Sequence, residues 1–511
     1  LHLSIRRQRQ MCIRDRKMSV KTVIEGDGSP PFPESSWRLG VPAPTSTPTV
    51  NKSGTLDSTV TPDDVSYVYT FVTAYGEEGP PSNPTTAIEF TASTQTNTVG
   101  IPAYGGSSSS INFAKKRVYR SNTGSTNTTF QFVAEVPYAT TQITDNAAGS
   151  ALGEVLPSTT WIGPPDDDTS LYPDGPLQGL TPVANGIFAG FTGKRLCLSE
   201  PYLPHAWPIS YRITLEEDII AIGTTANGVV CLTNGKPYFV TGVDPSAMSA
   251  LQVDLAQACI NRSSVVDMGE YILYAGPDGL CAVSGTEGRI VTKGLISPQQ
   301  WNDDFAPTTI KAFKHEGTYV AFYDDGSNHK GWVYDPRTDE AAISTITSEY
   351  TVFGGWHDQK DGTLYLLDAA TNTANRRIRA WRGDTGTSYG DHNRATWKSK
   401  NIVLPQPTSM GWVSVLADLY PVAVGGSYAH CLRLKVWADG TMIADYNIVQ
   451  SSSSGPFTLV LNTPSGSSST MAEPVARLPA VLAREWEVQV ESQHPVREIC
   501  LAQTMDEVKS T

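Results

Sequence analysis

No run of apolar residues in this 511-residue sequence approaches the ~20 that a membrane-crossing helix needs, so no membrane insertion by this chain is expected. Charged residues are scarce at 17%, and apolar residues recur at the helical period of 3.6 almost nowhere. The seven cysteines (12, 197, 231, 259, 281, 431 and 500) include no C-x-x-C pair, which argues against thiol redox motifs and zinc ribbons. The eight histidines are dispersed, with no H-x-x-x-H or H-E-x-x-H spacing. Positive charge is also short. Lys and Arg number 38 against 51 Asp and Glu, a net charge of −13, which argues against nucleic acid held on a basic surface. It leaves open a DNA that passes a repelling wall without sticking.

What is abundant is turn chemistry. The chain carries 43 Gly and 35 Pro, and with so little charge this composition suits many tight turns and an all-β protein of two to four domains. Most cysteines fall in apolar strand patterns such as VVCL around Cys231 and GLCAV around Cys281, so they read as buried thiols made in a reducing cytoplasm.

Residues 1–17 stand apart, with six basic residues and one acid. Arginines break every apolar run there, which excludes a signal peptide. The segment resembles translated adaptor read-through, a non-native leader with Met18 as the expected start; a disordered basic arm is the competing reading. A Pro- and Gly-rich arm is expected over 18–40. From Tyr67 the sequence YVYTFVTAYGEEGPPSNPTTAIEF alternates at period two and then turns on an acidic Gly-Pro stretch, with a second strand near Ala87–Phe90. Further strands are expected at Lys116–Ser121, Phe130–Val136 and Thr140–Asn146. The Y-x-Y-x-V-x-A-like strand before a G-E-x-x-P-S-like turn resembles the fibronectin type III pattern, implying a sandwich over 41–158. Such modules host many functions.

A Pro- and Asp-rich linker is expected over 159–177. From 178 to 395 the unit is strand, Gly-containing turn, strand, as in GVVCLTNGKPYFVTG, EYILYAGPDGLCAVSG and GTYVAFYDDGSNHKGWVYDP. Strands are expected at Leu196–Leu198, Ile219–Ile222, Val229–Leu232 and Tyr238–Val240, with Asn234-Gly235 as a two-residue hairpin turn of positive φ. A short helix is expected over Leu251–Ala258. Irregular spacing of roughly 40–50 residues between comparable strands suggests a degenerate β-propeller, with an open sandwich array as the alternative. Over 396–511 outward charges on hairpins such as HCLRLKVWADGTMIADYNIV suggest a C-terminal β-sandwich, and the Ser-rich stretches 451–454 and 465–470 read as exposed loops.

No motif has the context that catalysis needs. Gly386-Thr387-Ser388-Tyr389-Gly390, followed by Asp391 and His392, spells a nucleophile elbow but lacks the following helix. Arg382-Gly383-Asp384 beside it reads as a chance tripeptide. Asp166, Asp167 and Asp168, and Asp324-Asp325-Gly326, lack the alternating spacing of a calcium loop. His205, between Pro204 and Ala206-Trp207-Pro208, reads as packing or capping a turn. Glu216, Glu217 and Asp218 are nominal carboxylates for glycoside hydrolysis, with a solvated strand end as the default. Gly193-Lys194 is no phosphate loop, because Phe188 stands where its first Gly belongs and Arg195 follows the Lys. The sequons at Asn51, Asn127 and Asn261 mean nothing without a secretory route. Accordingly no catalytic, cofactor-binding or metal residue is assigned, no cofactor is expected, and the chain is not expected to be an enzyme.

Four segments together resemble a family, the virion structural proteins of tailed bacteriophages of the tail nozzle or tail tubular type. They are LCLSEPYLPHAWP (Leu196–Pro208), TNGKPYFVTGVDPSAMS (Thr233–Ser249), QACINRSSVVDMGEYILYAGPDGL (Gln257–Leu280) and VREICLAQTMDEV (Val496–Val508). The family reads S-E-P-x-x-P-x-A-W-P, then a G-x-P-Y-x-x-x-G strand pair, then Y-A-S-P-D-G-L; this chain departs at Gly276, where the serine is expected. The resemblance implies a virion protein made in the bacterial host cytoplasm that forms a homo-oligomeric, hexameric ring. Its partners would be portal, adaptor and fibre or spike proteins, with genomic DNA passing through unbound. A receptor- or glycan-binding tail fibre and a polysaccharide-acting propeller enzyme are the alternatives.

Overall fold

The computed structural model describes residues 16–18, 36–106, 108, 111–123, 128–165, 173–324, 329–337, 342–348, 351–358, 360, 362–369, 376–381, 395–417, 423–424, 427–428, 432–450, 457–461, 475–492 and 496–510. The protein is all-β, with two short α-helices among those residues, Pro298–Phe305 and Met505–Ser510. It divides into two compact units, one of Leu1–Cys259 with Gly269–Ile272 and Ala282–Arg289, the other of Ile260–Met268, Leu273–Cys281 and Ile290–Thr511.

In the first unit Arg16–Met18 pairs with Ser36–Arg38. Beyond it, two three-stranded sheets share a core. One is Gln142–Asp145, Gln95–Gly100 and Thr49–Gly54; the other is Tyr67–Thr73, Phe113–Thr123 and Thr128–Pro137. Val99, Ile101 and Ile143 meet Tyr67, Tyr69, Phe71 and Val118 between them. The strand Tyr67–Thr73 is covered on both faces, with all seven residues buried. Tyr119 and Leu156 cover Val68 on the second face. The free edge of the strand is occupied as well, since the amides of Gly79, Ser82 and Thr85 donate to the carbonyls of Phe71, Tyr69 and Tyr67.

A buried polar cluster ties the two sheets. Arg120 Nη1 lies 2.7 Å from Asp145 Oδ2, with the two side chains 3% and 0% exposed. Tyr67 Oη donates to the same oxygen at 2.6 Å, Asn97 Nδ2 donates to Tyr67 Oη at 3.0 Å, and Ala147 N donates to Asp145 Oδ1 at 2.9 Å. Burial, and then the hydrogen bond to Asp145, push the Tyr67 phenol well above its ordinary range. On the outer face buried Glu78 accepts from Thr70 Oγ1, Tyr119 Oη and Arg117 Nη1 at 2.7, 2.8 and 2.7 Å.

The arm and the linker are packed rather than loose where they are described. Leu39 and Leu177 share a cluster with Phe188, Cys197 and Trp207. Gly40, at φ +99°, lies so close to Gly163 that a Cβ would come within 2.7 Å of its Cα.

From Gln178 the chain lays down meanders whose strands pair in chain order. The first is Gln178–Pro182, Phe188–Thr192, Arg195–Leu198 and Ile213–Thr214. The second is Ile219–Thr225, Gly228–Thr233, Tyr238–Thr241 and Ser249–Gln252. The third is Val266–Asp267, Ile272–Gly276, Gly279–Ser284 and Glu287–Ile290. The fourth is Lys311–His315, Thr318–Asp324, His329–Asp335 and Ala342–Ser348. The four strands expected between 196 and 240 all form, each with an end extended by one to three residues.

Two local expectations fail for identifiable reasons. Asn234-Gly235 is not a two-residue turn, and neither residue has positive φ. The ladder ends at Cys231–Tyr238 because Pro237 has no amide to extend it. Thr233 Oγ1 closes the longer loop instead, donating to Lys236 O at 2.7 Å and accepting from Gly235 N at 3.0 Å. Nor does Leu251–Ala258 form a helix. Ser249–Gln252 is an edge strand on Tyr238–Thr241, and Val253 and Leu255 then point inward at period two around exposed Asp254. Three-residue turns, Leu255 N to Val253 O and Gln257 N to Leu255 O, both 2.8 Å, carry the chain onward.

The helix at Pro298–Phe305 escaped the sequence reading. Ser297 caps it by accepting from Gln300 N, Pro298 occupies the first turn, and Ala306 ends it in the left-handed conformation. Trp301 and Phe305, one turn apart, are its buried face, and Trp301 Nε1 donates to Gly276 O at 3.0 Å.

In the second unit Ala395–Lys398 joins Ala342–Ser348 to a larger sheet, so the fourth meander continues through Ala483–Ser492, Leu432–Ala438, Thr441–Gln450 and Phe457–Leu461. A separate three-stranded sheet, Val475–Arg477, Trp412–Ala417 and Val496–Ala502, shares its core with that one through Val413, Val415, Leu434, Trp486 and Val488. Another, Thr351–His357, Leu364–Ala369 and Arg376–Ala380, packs on Val320 and Phe322.

Because Asp145 sits opposite a buried guanidinium, Asp145→Ala should destabilise the two-sheet module by about 3–5 kcal/mol, the cost of stranding one member of a buried ion pair. Urea denaturation followed by tyrosine fluorescence and far-UV circular dichroism reads the shift. A loss under 1 kcal/mol would mean that Arg120 is hydrated in the variant at little cost.

Candidate functional site

The chemistry-bearing residues singled out in the sequence are placed as parts of the framework. Glu216 and Asp218 are exposed on the turn before the second meander, while Glu217 Oε2 accepts from Tyr238 Oη at 2.9 Å. His205 is 2% exposed and meets the Trp161 ring edge-on at 5.9 Å. Gly193-Lys194 forms the Thr192–Arg195 hairpin turn, Gly193 at φ +52° and Lys194 Nζ donating to Glu216 O at 2.7 Å. Asn261 caps a short 3-10 turn by accepting from Ser263 N and donates to Ile310 O at 2.6 Å. Asn51 lies in an exposed stretch of strand. Asp324 ends a strand, its amide donating to Thr309 Oγ1 at 3.1 Å. Asp166–Asp168, Asp325-Gly326, Asn127, the Ser-rich stretches and the whole of 382–392 lie outside the described residues.

Among the described residues no three His, Cys, Asp or Glu side chains come together as a metal site. Cys197, Cys231, Cys259 and Cys281 are buried thiols. Burial raises the Cys197 thiol to about 11, against a smaller lowering by Arg212 and Arg195. Burial alone pushes Cys231 higher still. Neutral buried thiols are poor nucleophiles.

The loop spelled S-E-P-Y-L-P-H-A-W-P is the most constrained feature of the first unit. Buried Ser199 accepts from Phe188 N and donates to Glu200 O, both at 2.9 Å. Glu200 N donates to Ala206 O, Trp207 N to Ile162 O, and Trp207 Nε1 to Pro204 O. This bracing holds Tyr202 at φ +63°, a conformation a bulky residue adopts only when its surroundings impose it, at a cost of ~1–3 kcal/mol. The Tyr202 ring lies over Gly186, where a Cβ would come within 2.5 Å of it, and is 66% exposed. Ile209 and Val243 are exposed apolar residues of the same unit, and Asn185 Nδ2 reaches Val243 O at 3.4 Å. The loop can present a fixed surface. Sequence pattern located it, but the strained Tyr202 has no signature in one sequence.

A second feature lies in the other unit. A cleft of about 500 Å³ opens on the sheet of Thr351–His357, Leu364–Ala369 and Arg376–Ala380, with Trp356, Tyr365 and Asp358 in its lining. Sequence reading missed it, because the strands containing Trp356 and Ile378 read as ordinary alternating β-structure.

No family model matches the sequence. No curated protein matches it either. Among solved structures the chain is similar to the N-terminal domain of Nup159, at 9% identity over 62% of this chain and 89% of that one, with a TM-score of 0.25. It is also similar to dihydro-heme d1 dehydrogenase NirN in complex with DHE, at 11% identity over 82% and 74% of the two chains, with a TM-score of 0.26. At those scores neither likeness carries an argument.

The raised pKa values fix the sign of an alkaline effect. Cys197 rises from 9.0 to about 11, and Tyr69, through burial and then Tyr138, from 10.0 to about 12. The unfolded chain therefore releases these protons first. Their contribution to stability should be complete below about pH 9 and decline as pH rises through 9–12. Chemical denaturation at pH 8 and pH 10.5 checks the direction, and at pH 8 iodoacetamide mapping should leave Cys197 and Cys231 unlabelled until denaturant is added. Labelling of either in the native chain would contradict their burial.

Proposed function

We propose that this chain is a structural subunit of a bacteriophage tail, of the nozzle or tail tubular type, and forms part of the conduit for DNA ejection. The observation that carries the reading is the run of four meanders from Gln178, three of them separate four-stranded sheets and the fourth continuing into a ten-stranded sheet, each pairing its strands in chain order, with the braced S-E-P-Y-L-P-H-A-W-P loop between the last two strands of the first. That strand order is the one propeller blades use, and it supports a degenerate β-propeller as the central domain. The shared core of the two N-terminal sheets supports a fibronectin III-like sandwich, and the core around Trp486 supports a C-terminal sandwich.

The mechanism on this reading is mechanical and electrostatic. Stiff sheets hold a bore in a hexameric ring, and a net charge of −13 keeps a passing duplex from adhering. Portal, adaptor and fibre proteins would attach at the ring's faces, within the virion.

Purified full-length chain is expected to give six-fold or twelve-fold rings in negative stain, a matching mass by light scattering, and no retention of duplex DNA at about 150 mM salt. A strictly monomeric chain that turns over a polysaccharide would overturn the proposal, and trimeric rods would replace it with the tail-fibre reading.

A further inference from the structure

We propose that the cleft on the Thr351–His357 sheet is a binding site for a neutral saccharide, with a pyranose face stacked on the exposed Trp356 ring, which Tyr365 backs, and its hydroxyls donating to Asp358. The two aromatic residues are direct cross-strand partners, and their rings stack at 5.9 Å with 21° between planes. Register places Leu367 and Ile378 as the neighbouring row on the same face. The opposite face is fixed, because Leu364 and Leu366 pack on Val320, Phe322 and Val352. The platform is therefore rigid and yet open, with Trp356 61% and Ile378 75% exposed.

Two adjacent glycines have opposite jobs. A Cβ on Gly355 would come within 2.8 Å of Phe313, so that glycine is needed for packing behind the sheet. A Cβ on Gly354 would meet nothing within 4 Å, so the missing side chain there leaves the cleft's floor clear. The resulting volume of about 500 Å³ is in the usual range for small-ligand sites.

Charge and geometry choose among occupants. Asp358 is held by its own turn, Oδ1 accepting from Lys360 N at 2.9 Å, while Oδ2 takes no hydrogen bond from the described residues. An acceptor at the edge of an apolar floor suits a ligand with one C–H face and a rim of hydroxyl donors. Among the described residues no lysine or arginine lines the cleft, and a carboxylate beside an acidic chain repels acidic sugars and phosphates. A quaternary ammonium prefers rings that enclose it from several sides, whereas these two rings stack on each other and do not surround a cation. A purely apolar protein surface would bury Asp358 without a partner. This inference does not depend on the tail reading; rings without sugar binding, or sugar binding by a monomer, separate the two.

The test is an array of neutral, acidic and amino oligosaccharides probed with full-length chain, followed by calorimetric titration of the hits. Neutral oligosaccharides should bind, and Trp356→Ala should raise Kd by about tenfold or more. Gly354→Val, which fills the cleft without touching the packed face, should do the same with an unchanged far-UV spectrum. Asp358→Asn should weaken binding several-fold. The proposal is overturned by binding that Gly354→Val leaves intact, by choline or acidic sugars binding where neutral ones do not, or by no binding to any neutral sugar at millimolar concentration.

Discussion

An extended chain cannot satisfy its own backbone, and this constraint governs the whole molecule. Every buried N–H and C=O must find a partner on another strand. With few helices to absorb those groups, the chain answers locally: in each meander a strand pairs with the one just before it and the one just after. Local pairing keeps the loop-closure cost low and reserves long-range order for side-chain cores. The turn residues and the exposed edges follow from that choice.

Turns are where the sequence was most readable and also where it misled. Glu316-Gly317 and Asp439-Gly440 have positive φ at both central positions, and each joins a tight hairpin. Asn234-Gly235 has the same spelling, yet Pro237 three residues after Asn234 removes the amide that a two-residue turn would require of the returning strand. The lesson is physical: a turn is set by which amides the flanking ladder needs, and the central dipeptide only permits it. Leu251–Ala258 failed similarly, since its apolar residues suit a helix only if the preceding residues are not already held by an edge pairing. The helix at Pro298–Phe305 carried a legible Ser-Pro start, but its apolar face is only Trp301 and Phe305, too few for a periodicity search.

Burial was legible in kind and not in arrangement. Alternating aromatics announced a strand at Tyr67–Thr73, but the coverage of its second face by Tyr119 and Leu156 depends on residues some 50 and 90 positions away. The same holds for Arg120 and Asp145. Each reads as a surface charge, and only the docking of one sheet on another turns them into a desolvated pair. Such a pair contributes less to net stability than apolar packing of equal volume, but it penalises any slip of one sheet relative to its mate.

Rigidity then decides what the molecule can offer. Among the described residues, burial mutes the thiols of Cys197 and Cys231, and Asn261, Thr233 and Lys194 hold turns. Two exposed aromatic surfaces among the described residues, at Tyr202 and at Trp356, are both braced from behind. Tyr202 is held in a strained conformation by a loop braced through Ser199, Glu200 and Trp207; Trp356 and Tyr365 stand on a sheet whose reverse face is core. A flexible exposed aromatic loses entropy on contact, whereas one already immobilised does not. On the proposed readings, framework stiffness and recognition are therefore the same property of this chain seen from two sides.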